Sequence, residues 1–160
     1  MPTIKLKTEI EAPIQRVFDL ARSIDLHKIS TASTREEAIA GVTSGLISGG
    51  GTVTWRAKHF GVFQELTSKI TEFDPPRLFV DEMQKGIFKS LKHEHLFEVA
   101  DGHTIMTDTL VYVSPLGPLG QLADWLFLEK YLMQFLKDRN EVVKEYAEGD
   151  GWQEVLKSHL

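Results

Sequence analysis

Five side chains in the middle of the chain could do acid–base or ligand-orienting chemistry: His59, Asp81, His93, His95 and Asp108. Histidine titrates near neutrality, and a carboxylate beside it favours the imidazolium and fixes the ring tautomer. On a strand, His93-x-His95 sends both rings to one face, because side chains alternate with period two. Asp101-Gly102 stands between two alternating runs and predicts a two-residue hairpin turn. Ala100 then pairs with His103, His95 with Asp108, and His93 with Leu110. A Gly86-Ile87-Phe88 connection pairs Lys85 with Lys89 and sets Asp81 opposite His93. Facing Cβ atoms lie about 4.5–5.5 Å apart. The same face carries Leu91, Phe97, Met106 and Tyr112, so it is the apolar, covered one. His59 shares the apolar side of its strand with Val53, Trp55 and Ala57, and reaches the same space. The spacing therefore predicts a polar group inside an apolar pocket, able to orient a ligand or, through His95 and Asp108, to move a proton. The competing reading is a structural network in which buried polar groups satisfy only one another. A register slip of one residue would turn the whole set to solvent.

The same His-x-His with a facing Asp has the composition of a two-His-one-carboxylate set. No metal or other cofactor is assigned, because satisfied histidines are commoner than metal sites. Around the polar group, Trp55, Phe79, Met83, Phe97, Met106, Tyr112, Trp125 and Met133 are the expected apolar lining. Other chemistries find no support. There is no nucleophilic serine elbow, no Gly-x-Gly-x-x-Gly and no nucleotide lysine. Gly45, Gly49, Gly50 and Gly51 precede a strand where a phosphate loop would need a helix. Glu36 and Glu37 are adjacent in a weak strand, point to opposite faces, and cannot form a glycosidase pair.

The elements that position these residues follow from periodicity. Thr3–Glu11 alternates as a half-buried strand. Pro13 opens a short helix to about Arg22, and a second covers Asp25–Ser30 with Ser23 as N-cap. After the weak strand at Glu36–Val42 comes a glycine-rich stretch, Thr43–Gly51, expected to be a mobile loop gating the pocket. Strands are predicted at Thr52–His59, Val62–Phe73, Leu78–Lys85, Phe88–Val99 and Thr104–Val113, an antiparallel meander. Gln121–Glu148 lacks Pro and Gly and predicts one long helix; Trp152–Leu160 is expected to be a loosely attached tail. The first half of that helix is apolar nearly all round, more than a sheet alone can cover, so a dimer partner is one candidate for the surplus.

Composition bounds the class. The chain has 160 residues, a net charge of −5 and no Cys. The acidic balance argues against nucleic-acid binding. The missing cysteines exclude disulfides and thiolate metal sites and fit a cytoplasmic location. No run of about 20 predominantly apolar residues is free of charge, so no membrane-spanning segment is expected.

Several local patterns together carry a family resemblance. Ile10-Glu11-Ala12-Pro13 leads into Val17-Phe18, and Ile70-Thr71-Glu72-Phe73-Asp74-Pro75-Pro76 precedes Phe79-Val80-Asp81. Gly86-Ile87-Phe88 leads to His93-Glu94-His95-Leu96-Phe97, Pro115-Leu116-Gly117 precedes the last helix, and Arg139 sits within it. The chain thus resembles the START and birch-pollen-allergen-like superfamily, closest to its polyketide cyclase/dehydrase-like and "cell division inhibitor"-like bacterial members. The resemblance implies an α+β helix-grip fold over residues 1–148: a curved antiparallel sheet around a long C-terminal helix, with two short helices after the first strand. Residues 149–160 would be a tail. It implies binding of a small hydrophobic molecule, lipid-, quinone- or polyketide-like, between sheet and helix. Two alternatives stay open: a cyclase or dehydratase using His95 and Asp108 as acid/base pair, and a non-enzymatic homodimeric interaction module.

Overall fold

Alternation from Thr3 onward buries Ile4 and Ile10 while Lys5, Lys7 and Glu9 between them face water, and this run is strand β1, Thr3–Ile10. The computed structural model describes residues 2–123 and 127–157. Pro13 precedes helix α1 (Ile14–Ala21), which buries Val17, Phe18, Leu20 and Ala21. Ser23 caps helix α2 (Ile24–Ser30), its hydroxyl accepting from the Leu26 amide at 3.1 Å. A single 3₁₀ turn at Ala32–Thr34 leads to strand β2, Glu37–Gly41.

The meander follows as β3 (Thr52–His59), β4 (Val62–Asp74), β5 (Leu78–Lys85), β6 (Ser90–Ala100) and β7 (His103–Val113). One antiparallel seven-stranded sheet results, in the order β1-β7-β6-β5-β4-β3-β2. Two of its hairpins turn on two residues with positive φ: Phe60-Gly61 at 52° and 77°, and Asp101-Gly102 at 52° and 78°. That handedness matches the twist of the flanking strands. The second turn sets the register as predicted: Ala100 pairs with His103, His95 with Asp108, and His93 with Leu110. On the other edge of β6, Asp81 pairs with His93 and Phe79 with His95.

After β7 comes the long C-terminal helix that was expected, flanked by two short ones. Helix α3 spans Pro118–Ala123 and helix α4 spans Glu129–Glu148. Between them, residues 127 and 128 wind with the wider i→i+5 pitch. Helix α4 lies against β1, α1 and α2. Gly149-Asp150 breaks the helix, and the chain re-enters the core as α5, Gly151–Leu156. Leu156 is buried, and the Arg16 guanidinium stacks 4.0 Å from the Trp152 ring centroid, so this segment is packed and not a loose tail.

The glycine-rich segment is likewise tied down. The amide of Ile47 donates to the Arg22 carbonyl, that of Gly50 to Ile70, and that of Ile70 to Gly51. Ile47 itself is buried in the main core. Gly49 permits a close approach: a Cβ there would meet the Phe73 Cβ at 2.9 Å. The expected gate is a stitched connection.

Candidate functional site

The interior divides into two apolar clusters. The larger gathers Phe18, Trp55, Ile70, Phe79, Phe97 and Met106 among others; the smaller holds Ile4, Leu110, Tyr112 and Leu136. Residues of both line one cavity of about 230 Å³, with walls from α2, strands β3 to β7 and α4. The α4 wall consists of Leu132, Phe135, Leu136 and Arg139.

The His/Asp group forms part of this wall. His93 and His95 project to the same side of β6 and stack, ring centroids 3.8 Å apart, and Phe79 stacks on His95 at 4.1 Å. Their hydrogen bonds run diagonally across the ladder. His93 Nε2 donates to Asp108 Oδ1 at 2.8 Å, and His95 Nε2 donates to Asp81 Oδ2 at 2.8 Å. His95 Nδ1 is 3.1 Å from Asp108 Oδ1. Asp108 is fully buried and lies outside the cavity lining, where it ties sheet to helix. The Asn140 amide donates to its Oδ2 at 2.7 Å, and Arg139 Nη1 reaches Oδ1 at 3.4 Å. Arg139 Nη2 also donates to the Ala21 carbonyl at 2.9 Å, closing the network onto α1.

These contacts set the charges. Burial works against the Asp108 carboxylate, but the hydrogen bonds and charges of His93 and His95 outweigh it and hold the carboxyl well below its ordinary range. Asp81 is lowered in the same way, burial opposing and His95 and His93 prevailing. Burial lowers His95, yet hydrogen bonds to Asp108 and Asp81 raise it further, so the net shift is upward. His93 goes the other way: burial first, then the charge of His95, pull it down. The contacts thus favour the charged form of His95, between two carboxylates, and the neutral form of His93, stacked on it. An ionised Asp108 can only accept, so His93 carries its proton on Nε2. Its Nδ1 is then a bare acceptor, unbonded among the described residues, on a side chain that lines the cavity.

Asp81, His93 and His95 also bring one potential metal-ligand atom each within 4.8 Å of one another. A cation there would have to displace the proton that His95 Nε2 shares with Asp81.

A second polar group lines the same cavity from β3 and its surroundings. His59 Nδ1 and the Tyr131 hydroxyl are 2.6 Å apart, and burial lowers His59 despite the opposing charge of Glu36. His27 Nε2 is 3.4 Å from Glu36 Oε1, and its ring packs 4.3 Å from that of Trp55. Burial pushes the Glu36 carboxyl up, but the His27 hydrogen bond and charge bring it below its ordinary value.

Of the residues expected at the site, His59, Asp81, His93, His95, Trp55 and Phe79 line the cavity. His59 belongs to the second group and not to the Asp108 network. Asp108 lies behind the histidines, because diagonal bonding draws its carboxylate beneath their rings. Phe97 and Met106 pack in the larger core cluster, and Tyr112 and Met133 in or against the smaller one. Met83 is half-buried outside the lining. Trp125 lies outside the described residues. Arg139 and Asn140 were not expected inside. Their signal is the stripe Leu136, Arg139, Asn140, Val143, Ala147, at i, i+3, i+4, i+7 and i+11 along α4.

Fold and site together define a helix-grip domain: a curved antiparallel sheet closed by a C-terminal helix over an apolar cavity with polar walls. The chain belongs to the polyketide cyclase / dehydrase and lipid transport family, whose profile matches residues 1–148. Solved structures of the same fold include TTHA0849 from Thermus thermophilus, 19% identical, covering 99% of this chain and 100% of that one with a TM-score of 0.74. A START superfamily protein from Mycobacterium smegmatis is 11% identical, covering 91% and 97%, with a TM-score of 0.68. Major latex-like protein 151 from Panax ginseng is 14% identical, covering 92% and 98%, with a TM-score of 0.64. No curated protein matches the chain. Among the described residues no helix is long and apolar enough to cross a membrane.

Proposed function

We propose that this chain binds a small, mainly apolar molecule in the cavity between sheet and α4, and that the wall of His93, His95 and Asp81 orients its polar group. The observation that carries this reading is the bare acceptor His93 Nδ1 on the wall of an otherwise apolar cavity. Burial of the ligand drives association, at roughly 25 cal/mol per Å² of apolar surface removed from water. A hydroxyl donating to His93 Nδ1 then selects one orientation, because His95 has both its N–H groups turned towards carboxylates. The lipid transport in the family's description fits this reading.

The same acceptor moves the catalytic alternative from the expected His95–Asp108 pair to His93 as the base of a cyclase or dehydratase, with Asp108 a positioning residue. Asp108 is shielded from the cavity and touches a ligand only through the two rings.

The test is titration with N-phenylnaphthylamine, an uncharged fluorophore that brightens in apolar surroundings. Saturable one-to-one binding is expected. Ala57 is a buried residue of the cavity wall, and Ala57→Phe should weaken binding about tenfold or more, equal to about 1.4 kcal/mol. Equal binding by wild type and this variant contradicts the placement.

A further inference from the structure

Glu36 is the least explained charge in the molecule. Arg35, in the left-handed conformation at φ 53°, turns the chain between the 3₁₀ turn and β2, so that Glu36 points inward and Glu37 outward. The Glu36 side chain is only 9% exposed and lines the cavity. Its Oε1 faces His27, but its Oε2 is buried without a hydrogen bond. The neighbouring Thr31 hydroxyl helps hold the carboxylate in its charged form, but its single proton is shared with the His27 carbonyl at 2.7 Å. His59 engages Tyr131 through Nδ1, and its Nε2 makes no hydrogen bond to Glu36 Oε2. A buried carboxylate oxygen is costly to leave unsatisfied, so its missing donor is to be sought in the cavity itself.

We propose that Glu36 Oε2 is a second recognition point of the cavity, accepting a hydrogen bond from a hydroxyl on the bound molecule. A hydroxyl suits this place better than an ammonium, which would lose far more hydration on entering an apolar cavity. Glu36 stands beside β3, through the His27–Trp55 contact, and His93 stands on β6. Three strand spacings separate β3 and β6, roughly 14 Å along the sheet surface at about 4.8 Å each. The ligand class is therefore two-ended: a flat or elongated apolar body with a hydroxyl at each end, one for His93 and one for Glu36. This rests on the reading of the cavity as a ligand site and adds the second end.

The experiment compares two probes by calorimetry: the naphthalenediol with hydroxyls at opposite ends of the ring system, and its monomethyl ether. Wild type is expected to bind the diol about tenfold more tightly than the ether, the scale of one charge-assisted hydrogen bond. That preference should shrink in Glu36→Gln and vanish in Glu36→Leu. Equal affinities in wild type, or a preference that survives in Glu36→Leu, overturn the proposal. The wild-type comparison needs no variant and stands even where Glu36→Leu folds poorly. If the probes bind without preference and N-phenylnaphthylamine also binds, only the role of Glu36 falls. If none of the three binds, the ligand-site reading falls with it.

Discussion

Asp108 carries more of the site than any other single residue, because its two oxygens receive His93, His95, Arg139 and Asn140 from a strand and a helix. Removing its charge leaves the buried Arg139 guanidinium without its ion-pair partner and His95 with Asp81 alone, and breaking a buried pair costs about 3 kcal/mol. Asp108→Asn is expected to lose that much stability at neutral pH, read from urea unfolding. The pH dependence follows from the direction of the shift. A carboxyl held below its ordinary value stabilises above the unfolded pKa of about 3.9 and loses that contribution as pH falls through the folded value. The gap between wild type and Asp108→Asn should therefore narrow in acid; a constant gap would show that Asp108 is not the anion of the network. The two histidines separate in the same logic. His95 is raised and His93 lowered, so imidazole nitrogen NMR across neutrality should find His93 deprotonated first, with its proton on Nε2. Loss of the His95 proton first would reverse the assignment of roles.

At the scale of elements, the hairpins were the legible part. Asp101-Gly102 fixes a two-residue turn, and an antiparallel register then propagates without error along β6 and β7, which is why His95 was placed opposite Asp108 from spacing alone. Which imidazole bonds which carboxylate was not legible, because rotamers decide it and the bonds run diagonally. Nor was the part played by α4: Arg139 and Asn140 meet Asp108 only because the helix crosses the sheet at one particular rung, and no local pattern records that crossing. Glu36 was dismissed for a similar reason, since a weak strand gives no sign that Arg35 turns the chain inward. The C-terminal segment was misread because six residues are too few for a helical period to stand out. Its packing has a measurable consequence. Leu156 is buried against the main core, and Leu156→Ala should cost about 2–3 kcal/mol, the range of a filled core position. A loss near zero in urea unfolding would return this segment to the status of a tail.

For the whole molecule, the sheet and α4 enclose more space than their side chains fill, and the unfilled space lies between two apolar clusters where polar groups converge. An empty apolar cavity forfeits packing contacts that a ligand would restore. The surplus apolar surface foreseen around the last helices stays uncovered in the single chain, with Leu116, Leu119, Leu122 and Phe127 exposed and Phe60 edge-on to Phe127. A ligand site and a packing defect make opposite demands on this space. Native mass spectrometry of the protein isolated from its own host, followed by extraction and identification of what it carries, separates the two most directly. A reproducible small molecule, apolar in its body and bearing hydroxyls, is expected in stoichiometric amount and lost in Ala57→Phe. An unliganded mass in both wild type and variant would contradict the ligand site and leave the His/Asp network as a structural tie between sheet and helix.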